Sequence, residues 1–293
     1  MIENNKFYRI VMNFFVLFFV LACIIPFVLL VSGSLSSEAS LKTYGYTFFP
    51  KEFSLKSYKY IWTTRLSIFR AYGMSIFYTV IGTALNILLT FLFAYPLSRE
   101  YLPGKKIISF FLFFTMLFNG GFVPTYLIYS NIFHVVDTGF GMVVPYLLMN
   151  AFYVIMCRTY ITSNIPNEVI EAAKIDGASE MSVLLKIVSP MSKPILATIG
   201  LMSAIAYWNN WTNGVYFLRT RTDLYGIQNF LNSVMNNVTV LSSHSTSLGT
   251  TNQIPSTGIR MALAVIAVIP VLIAYPFFQK SFVAGITVGS VKG

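Results

Sequence analysis

Long uncharged apolar segments restrict the fold of this 293-residue chain more than any other feature of its sequence. A helix needs roughly 20 apolar residues to cross about 30 Å of hydrocarbon, and six segments reach that length. Their approximate bounds are residues 10–32, 73–98, 107–132, 140–160, 194–218 and 258–282. Only 10% of the residues are charged, against roughly 25% in soluble domains. The sequence therefore predicts an all-α integral membrane protein, with six transmembrane helices in a single domain over residues 1–293.

The charged residues show no pattern typical of nucleic-acid binding. The net charge is +10, but the Lys and Arg residues are scattered near the ends of apolar segments and form no basic run. Cys23 and Cys157 lie in or beside apolar segments without a CxxC spacing, which is typical of small core residues. The two His residues belong to no HExxH pattern, so the sequence offers no metal site.

The first apolar segment follows Lys6 and Arg9, as the apolar part of a signal peptide would. Its length exceeds the roughly 7–15 apolar residues of a signal peptide, so we expect a retained helix. Six spans place both termini on one side of the membrane. Lys and Arg favour the cytoplasmic side. They are more numerous on the side of the termini than on the other, where most lie in the long loops 33–72 and 219–257. We therefore expect both termini in the cytoplasm.

None of the ten Asp and Glu residues lies within an apolar segment. Proton- and ion-coupled transporters usually keep ionisable side chains at membrane depth, because those groups carry the coupling ion. An ion-coupled secondary transporter, or a membrane enzyme with a catalytic cluster, is therefore disfavoured. If the chain belongs to a transporter, its energy source should therefore lie elsewhere than in an intramembrane ion site.

A polar stretch between the fourth and fifth segments, about residues 165–190, has the signals of two short helices at a bend. Pro166 suits the first turn of a helix, Gly177 can take the left-handed conformation that ends it, and Ser179 can cap a second helix. An apolar stripe at helical spacing follows, formed by Met181, Leu184, Leu185 and Val188. The predicted topology places this bend in the cytoplasm.

The composition of the bend favours docking on a soluble protein over lying on the lipid surface. Residues 168–187 contain no aromatic residue, and their acidic residues outnumber their lysines. A surface-bound amphipathic helix would need bulky aromatics and a Lys-rich face, and anionic lipid repels acidic side chains. Small Ala and Gly side chains instead permit close contact in a groove of a partner.

The same stretch resembles the EAA loop of ABC-importer permeases. The matching positions are Glu171, Ala172, Ala173, Gly177, Ile187 and Pro190. With NGGFVPTYL at 119–127 and the tail QKSFVAGITVGSVKG at 279–293, nearly the whole chain is similar to the maltose-type carbohydrate permeases, nearest the subgroup for complex oligosaccharides. Ser189 departs from the pattern, which usually has Leu before the Pro, and this puts one packing contact in doubt.

The resemblance implies a type I ABC importer permease fold in the bacterial cytoplasmic membrane. The bend would be a coupling helix seated in a cytoplasmic ATPase, with Asp176 beside the matching positions, and the tail would also reach the ATPases. This chain has no GxxxxGK[ST] motif, so ATP and Mg²⁺ would bind to two partner ATPases. A second homologous permease, an extracytoplasmic solute-binding protein and membrane lipid complete the implied partners, and loop 219–257 would face the binding protein.

Several polar and aromatic residues in the apolar segments could contact a solute. Trp208, Asn209, Trp211 and Asn213 lie at spacings that face together in pairs on a helix. They suit sugar stacking and hydroxyl hydrogen bonds, and equally suit helix packing or a membrane interface. Further candidates are Asn119, Tyr126 and Tyr153. The break Asn119-Gly120-Gly121 could line a cavity or be a packing bend.

The sequence leaves more than one class of cargo open. A carbohydrate follows from the resemblance, and a peptide or an amino acid is the alternative cargo for an ABC permease. The absence of Lys and Arg deep in the segments favours a neutral sugar, whereas Arg65, Arg70 and Arg219 in the outer loops leave an acidic glycan open.

Overall fold

The computed structural model describes residues 6–63, 65–247 and 256–290. Residues 248–255 of the predicted outer loop and 291–293 of the tail lie outside this range. The described residues form helices joined by loops, with an isolated bridge between Ser36 and Phe53. In chain order the helices are α1 (Lys6–Ser34), α2 (Glu38–Tyr44), α3 (Lys56–Thr63), α4 (Arg65–Ser98), α5 (Lys105–Leu117), α6 (Phe122–Leu127), α7 (Phe140–Val143), α8 (Ala151–Asn164), α9 (Asn167–Ile175), α10 (Glu180–Val183), α11 (Ser189–Met191), α12 (Lys193–Trp208), α13 (Thr212–Phe217), α14 (Ile227–Ser247) and α15 (Ser256–Ser290). Ile128–Ile132 and Leu184–Val188 are π-helical turns, and Thr222–Leu224 is a 3-10 turn.

Two helices of the described residues are each long and apolar enough to cross a membrane. They are Arg9–Ser34 and Arg65–Ser98, with mean hydropathies of 3.2 and 2.0. Two broken helices also pass this test when their two parts are counted as one span. The first is Lys105–Leu117 with Phe122–Ile132, at a bend angle of 116°, and the second is Glu180–Met191 with Lys193–Trp208, at a bend angle of 78°. Length and composition thus support two to four spans in this part of the chain, and the count of six stays a prediction.

The third apolar segment is interrupted, as its sequence indicates. α5 ends at Leu117 and α6 begins at Phe122. Between them the Asn119 side chain accepts a hydrogen bond from the Gly121 amide at 2.9 Å. Gly121 has φ +85°, a left-handed conformation that glycine adopts without a steric penalty. The Asn-Gly-Gly sequence therefore produces the break.

The fourth segment, predicted as one span over residues 140–160, is not a single helix. α7 ends at Val143, and α8 begins only at Ala151. Pro145 lacks an amide donor, Tyr146 takes φ +65°, and the Asn150 side chain caps α8 by accepting from the Phe152 amide at 2.9 Å. The prediction missed these signals because it relied on apolar length alone.

The fifth segment, predicted over residues 194–218, is also divided. α12 ends at Trp208, and α13 begins at Thr212. The Asn210 side chain accepts a hydrogen bond from the Asn213 amide at 3.1 Å. This local bond satisfies a backbone donor of α13 that the helix itself leaves free.

One compact unit comprises the described parts of Met1–Ser67 and Leu231–Leu272. Within it, the Glu38 carboxylate accepts hydrogen bonds from the Thr257 and Gly258 amides, each at 3.2 Å at the shortest. A carboxylate at the start of a helix such as α15 is favoured by the helix dipole. The hydroxyls of Ser34 and Tyr58 form a hydrogen bond at 2.8 Å.

The other unit comprises the described parts of Ile68–Phe230 and Ile273–Gly293. Its main apolar core joins α4, α5, α8, α12 and the polar stretch between α8 and α12. The buried members are Phe91, Ala94, Tyr95, Leu97, Leu112, Val154, Cys157, Ile161, Ile165, Ile170, Val183, Leu184, Val188, Ile195 and Ile199. A second cluster contains Tyr78, Met142, Val143, Tyr207 and Leu218.

The packing of α4 on Tyr207 depends on a glycine. A Cβ atom at Gly82 would lie 2.4 Å from the Tyr207 ring. We expect Gly82→Ala to lower the free energy of unfolding by about 1–3 kcal/mol, because the ring must move out of a packed core. The midpoint of thermal unfolding in detergent measures this effect.

Gly73→Ala is the matched control, since Gly73 lies in the same helix and a Cβ atom there would meet nothing within 4 Å. Its unfolding midpoint should stay the same or rise, because Ala favours a helix over Gly. Equal midpoints for the two variants would contradict the packing described for Tyr207.

Candidate functional site

The polar stretch folds as two short helices around a tight bend. We call α9, α10 and the residues between them the bent helix pair. Gly177 has φ +81°, and the Ala178 amide closes the end of α9 on the Ala173 carbonyl at 2.9 Å. The Ser179 side chain caps α10 by accepting from the Ser182 amide at 3.3 Å. These two positions behave as the sequence predicts, while α9 begins directly after Pro166 rather than including it.

One side of the bent helix pair and the turn that follows it is buried. Ile170, Val183, Leu184 and Val188 are at most 4% exposed and belong to the main core. The predicted stripe at 181, 184, 185 and 188 is therefore wrong in part, since Met181 and Leu185 are exposed. The π-helical turn Leu184–Val188 changes the register of a regular helix. Pro190 accounts for this turn, because it lacks an amide donor and its ring would clash with a regular helical carbonyl before it.

The opposite side presents the residues that the EAA pattern marks. Glu171, Ala172, Asp176, Gly177 and Pro190 are exposed, and Ala173 and Ile187 are half-buried. Ile175 stands among the exposed positions with 86% of its surface accessible. Ser189, the departure from the pattern, is half-buried and donates its amide to the Leu184 carbonyl.

A polar contact links the bent helix pair to α4. The Tyr95 hydroxyl donates to Glu180 Oε2 at 2.6 Å, and the ammonium of Lys174 pairs with the other oxygen of the same carboxylate. The hydrogen bonds from Lys174 and Tyr95 lower the pKa of Glu180. Glu180 is thus ionised at neutral pH and ties α9 and α10 to the end of α4. No local sequence pattern indicates this contact, because Tyr95 lies 85 residues before Glu180.

A cavity of about 330 Å³ lies at the break between α5 and α6. We call it the amide cavity, because three Asn side chains contribute to its wall. The lining residues are Asn119, Gly121, Phe122, Tyr146, Leu147, Asn210, Thr212 and Asn213. Of the predicted path residues, the structure brings Asn119 and Asn213 together here. The break thus does line a cavity.

A row of aromatic rings continues from the amide cavity. We call Tyr126, Phe122, Tyr146 and Tyr216 the aromatic strip. The Phe122 ring centroid lies 6.3 Å from that of Tyr126, 6.0 Å from that of Tyr146 and 3.8 Å from that of Tyr216. Tyr146 holds a left-handed backbone conformation that is costly for a bulky residue, and such strain clusters at ligand sites. The sequence prediction missed Tyr146 and Asn210; the Pro145-Tyr146 break was the available signal for the first.

The remaining predicted path residues lie away from the cavity wall. The Trp208 ring packs on Tyr72 with centroids 6.3 Å apart, and Tyr153 packs against the main core. Asn209 and Trp211 are exposed. These placements fit the helix-packing alternative better than the sugar-site alternative for Trp208 and Tyr153.

The position of Asn213 fits both the sugar-site alternative and the helix-packing alternative. Its side chain is 2% exposed and donates to the Pro145 carbonyl at 2.9 Å. The bond holds α13 to the segment between α7 and α8, so Asn213 shapes the cavity wall by fixing two of its elements.

Asp137 fixes the loop that follows α13. Its carboxylate accepts from the Arg219, Thr220 and Arg221 amides at 2.8, 2.9 and 3.2 Å, and from the Thr220 hydroxyl at 2.8 Å. These bonds, with the Thr220 amide foremost, lower the pKa of Asp137 to about 2. The loop backbone is therefore held by a permanent anion at neutral pH.

The chain matches a transport family over most of its length. The family described as the binding-protein-dependent transport system inner membrane component matches residues 86–288. This range contains the bent helix pair and the residues of the amide cavity.

Two proteins of Bacillus subtilis (strain 168) are similar to nearly the whole chain. Protein LplC is 37% identical over 273 residues, which are 92% of this chain and 90% of that protein. The polygalacturonan/rhamnogalacturonan transport system permease protein YtcP is 35% identical over 290 residues, which are 99% of this chain and 100% of that protein.

A solved structure has the same fold. The crystal structure of a bacterial ABC transporter involved in the import of the acidic polysaccharide alginate contains a chain that is 30% identical to this one, with a TM-score of 0.80. The match covers 94% of this chain and 97% of that chain. The resemblance drawn from the EAA stretch and the all-helical type I ABC importer permease fold are thus confirmed. This chain belongs to the family of binding-protein-dependent transport system inner membrane components and is a permease subunit of an ABC importer, a transport component rather than an enzyme.

Proposed function

We propose that this chain forms half of the membrane path of an ATP-driven importer that moves an oligosaccharide into the bacterial cytoplasm. The observation that carries the proposal is the bent helix pair, buried on one side in the core of the path-forming helices and exposed on the other. A surface of this kind transmits movement from a soluble partner to the membrane helices. The names of the relatives, which are carbohydrate permeases, support the cargo class.

The bent helix pair is the proposed coupling helix. Its exposed side combines Glu171, Ala172, Asp176 and Gly177 with the apolar Ile175. Small residues let another backbone approach closely, and Ile175 can fill an apolar pocket of the partner. The partner is one of two ATPases, which would bind ATP and Mg²⁺ because this chain contains no P-loop sequence. A second permease and a solute-binding protein complete the importer.

The amide cavity and the aromatic strip are the proposed contacts for the sugar. Asn side chains can donate to and accept from sugar hydroxyls, and aromatic rings stack on the C–H faces of sugar rings. A free amino acid or peptide would bring an ammonium group into a wall whose residues carry no charge, at a desolvation cost. The wall also contains no Asp or Glu for a coupled ion. These features favour an oligosaccharide over both alternatives.

The contacts support the proposed topology of six spans with both termini in the cytoplasm. Asp137, in the turn before α7, bonds to the loop at residues 219–221, and both segments are assigned to the outer side. Tyr95 bonds to Glu180, and both lie at the ends assigned to the inner side. Each contact therefore joins two segments that the distribution of Lys and Arg assigns to the same side of the membrane.

We expect Glu171→Ala and Gly177→Pro to uncouple ATP hydrolysis from uptake. The first variant removes a carboxylate from the docking surface, and the second imposes φ near −65° on a residue at φ +81°. Substrate-stimulated ATP hydrolysis by the reconstituted importer should fall roughly tenfold, which corresponds to about 1.4 kcal/mol of lost docking. The amount of the variant in the membrane should not change.

Glu100→Ala is the control, because Glu100 is an exposed acid in the loop between α4 and α5. It should leave stimulated hydrolysis as in the native importer. Native hydrolysis rates in the Glu171 and Gly177 variants would refute the coupling role.

We further expect Tyr95→Phe to loosen the bent helix pair. The substitution removes the hydroxyl that donates to Glu180, a charge-assisted bond with a typical net value of about 1.5–3 kcal/mol. Amide hydrogen exchange in residues 180–183 should become several-fold faster in the variant. Tyr101→Phe, at a position 88% exposed, should have no such effect. Unchanged exchange after Tyr95→Phe would show that the hydroxyl does not hold the pair.

A further inference from the structure

Three arginines lie close to the loop that follows α13, and they differ in their partners. Arg70 and Arg221 both pair with Asp223, at 3.2 and 2.7 Å. The Arg219 guanidinium has no carboxylate partner among the residues that the structure describes. Its charge is therefore available to an anion from outside the chain.

The Asp137 carboxylate does not neutralise this guanidinium. Its two oxygens accept from the amides of residues 219–221 and from the Thr220 hydroxyl. The contact holds the Arg219 backbone in place and leaves the side chain to point elsewhere. A guanidinium on a fixed backbone loses little freedom when it binds a ligand.

The Arg219 side chain lies on the aromatic strip. Its guanidinium carbon is 5.5 Å from the centroid of the Tyr126 ring, and Nη2 donates to the Tyr126 hydroxyl. Tyr126 stacks on Phe122, which lines the amide cavity. The Arg219 guanidinium donates to the Tyr126 hydroxyl through Nη2, and its other N–H donors lie in the same plane, in the fork that matches a carboxylate. Two ring contacts thus connect Arg219 to the cavity.

We propose that Arg219 binds the carboxylate of an acidic sugar unit at the outer end of the aromatic strip, so that the importer favours uronate-containing oligosaccharides. The inference rests on the proposed function and narrows its substrate class. The uncharged cavity wall would hold the hydroxyls of a neighbouring unit. The carboxylate stays at the exposed Arg219 and avoids the cost of burial.

Uptake by proteoliposomes that contain the complete importer tests this proposal. The probes are an oligosaccharide with one galacturonate unit among otherwise neutral units, and its methyl ester, in which an uncharged ester group replaces the carboxylate. Arg219→Gln should lower ATP-dependent uptake of the acid probe relative to the ester by roughly tenfold, the effect of one charge-assisted hydrogen-bonded pair. Arg219→Lys should have a smaller effect, because Lys keeps the charge without the fork.

Arg70→Gln is the matched control, since Arg70 is an exposed arginine that already has a carboxylate partner. It should leave the ratio of acid to ester uptake unchanged. Equal losses of acid and ester uptake in the Arg219 variants, no loss of either, or a native importer that takes up neutral oligosaccharides but not the acid probe would overturn the proposal for Arg219. A native importer without ATP-dependent uptake of any carbohydrate would instead contradict the proposed function.

Discussion

The burial of Ile170, Val183, Leu184 and Val188 in the main core is the interaction on which the rest of the structure depends. These side chains share one packed cluster with residues of α4, α8 and α12. Packed interiors have little free volume, so a displacement of the bent helix pair must displace those helices as well. The same burial turns the Glu171–Gly177 side outwards. A single amphipathic arrangement therefore links the bent helix pair to those helices and leaves exposed the surface that we propose as the docking site for the ATPase.

The interrupted helices follow from the requirement that backbone groups at membrane depth be satisfied within the protein. Irregular backbone in an apolar segment is tolerated where it lines a cavity or is buried in protein. The breaks at 119–121 and 209–211 both border the amide cavity, and side-chain bonds from Asn119 and Asn210 satisfy amides there. The break before α8 contributes Tyr146 and Leu147 to the same wall. Residues from all three helix breaks thus form the wall of the amide cavity.

The sequence predicted what local patterns determine. The apolar segments, the bend at Gly177 and the cap at Ser179 depend on residues within one or two helical turns, and the structure agrees with them. The prediction of one apolar stripe at 181, 184, 185 and 188 is wrong in part. The chain forms a π-helical turn here, in which Leu184 and Val188 are buried and Leu185 is exposed. A periodicity analysis assumes a regular helix and cannot detect such a turn.

Contacts between distant residues could not be predicted from one sequence. Tyr95 and Glu180 are 85 residues apart, and Asp137 lies 82 residues before Arg219. The predicted path residues were chosen by type and helical spacing. This choice included Asn119 and Asn213, which line the amide cavity, and also Trp208 and Tyr153, whose rings pack on other elements. Only the arrangement of the helices decides which Asn or Tyr side chain reaches a cavity.

Site-directed cross-linking in the assembled importer tests the central claim most directly. In a chain with Cys23→Ser, whose other cysteine is buried, Ile175→Cys should react with a maleimide that carries a photoreactive benzophenone, and illumination should then give a product that contains the ATPase. Leu66→Cys, at a position 79% exposed and assigned to the outer side, should give no such product. A cross-link to the ATPase from Leu66→Cys and none from Ile175→Cys would contradict the coupling surface proposed for the bent helix pair.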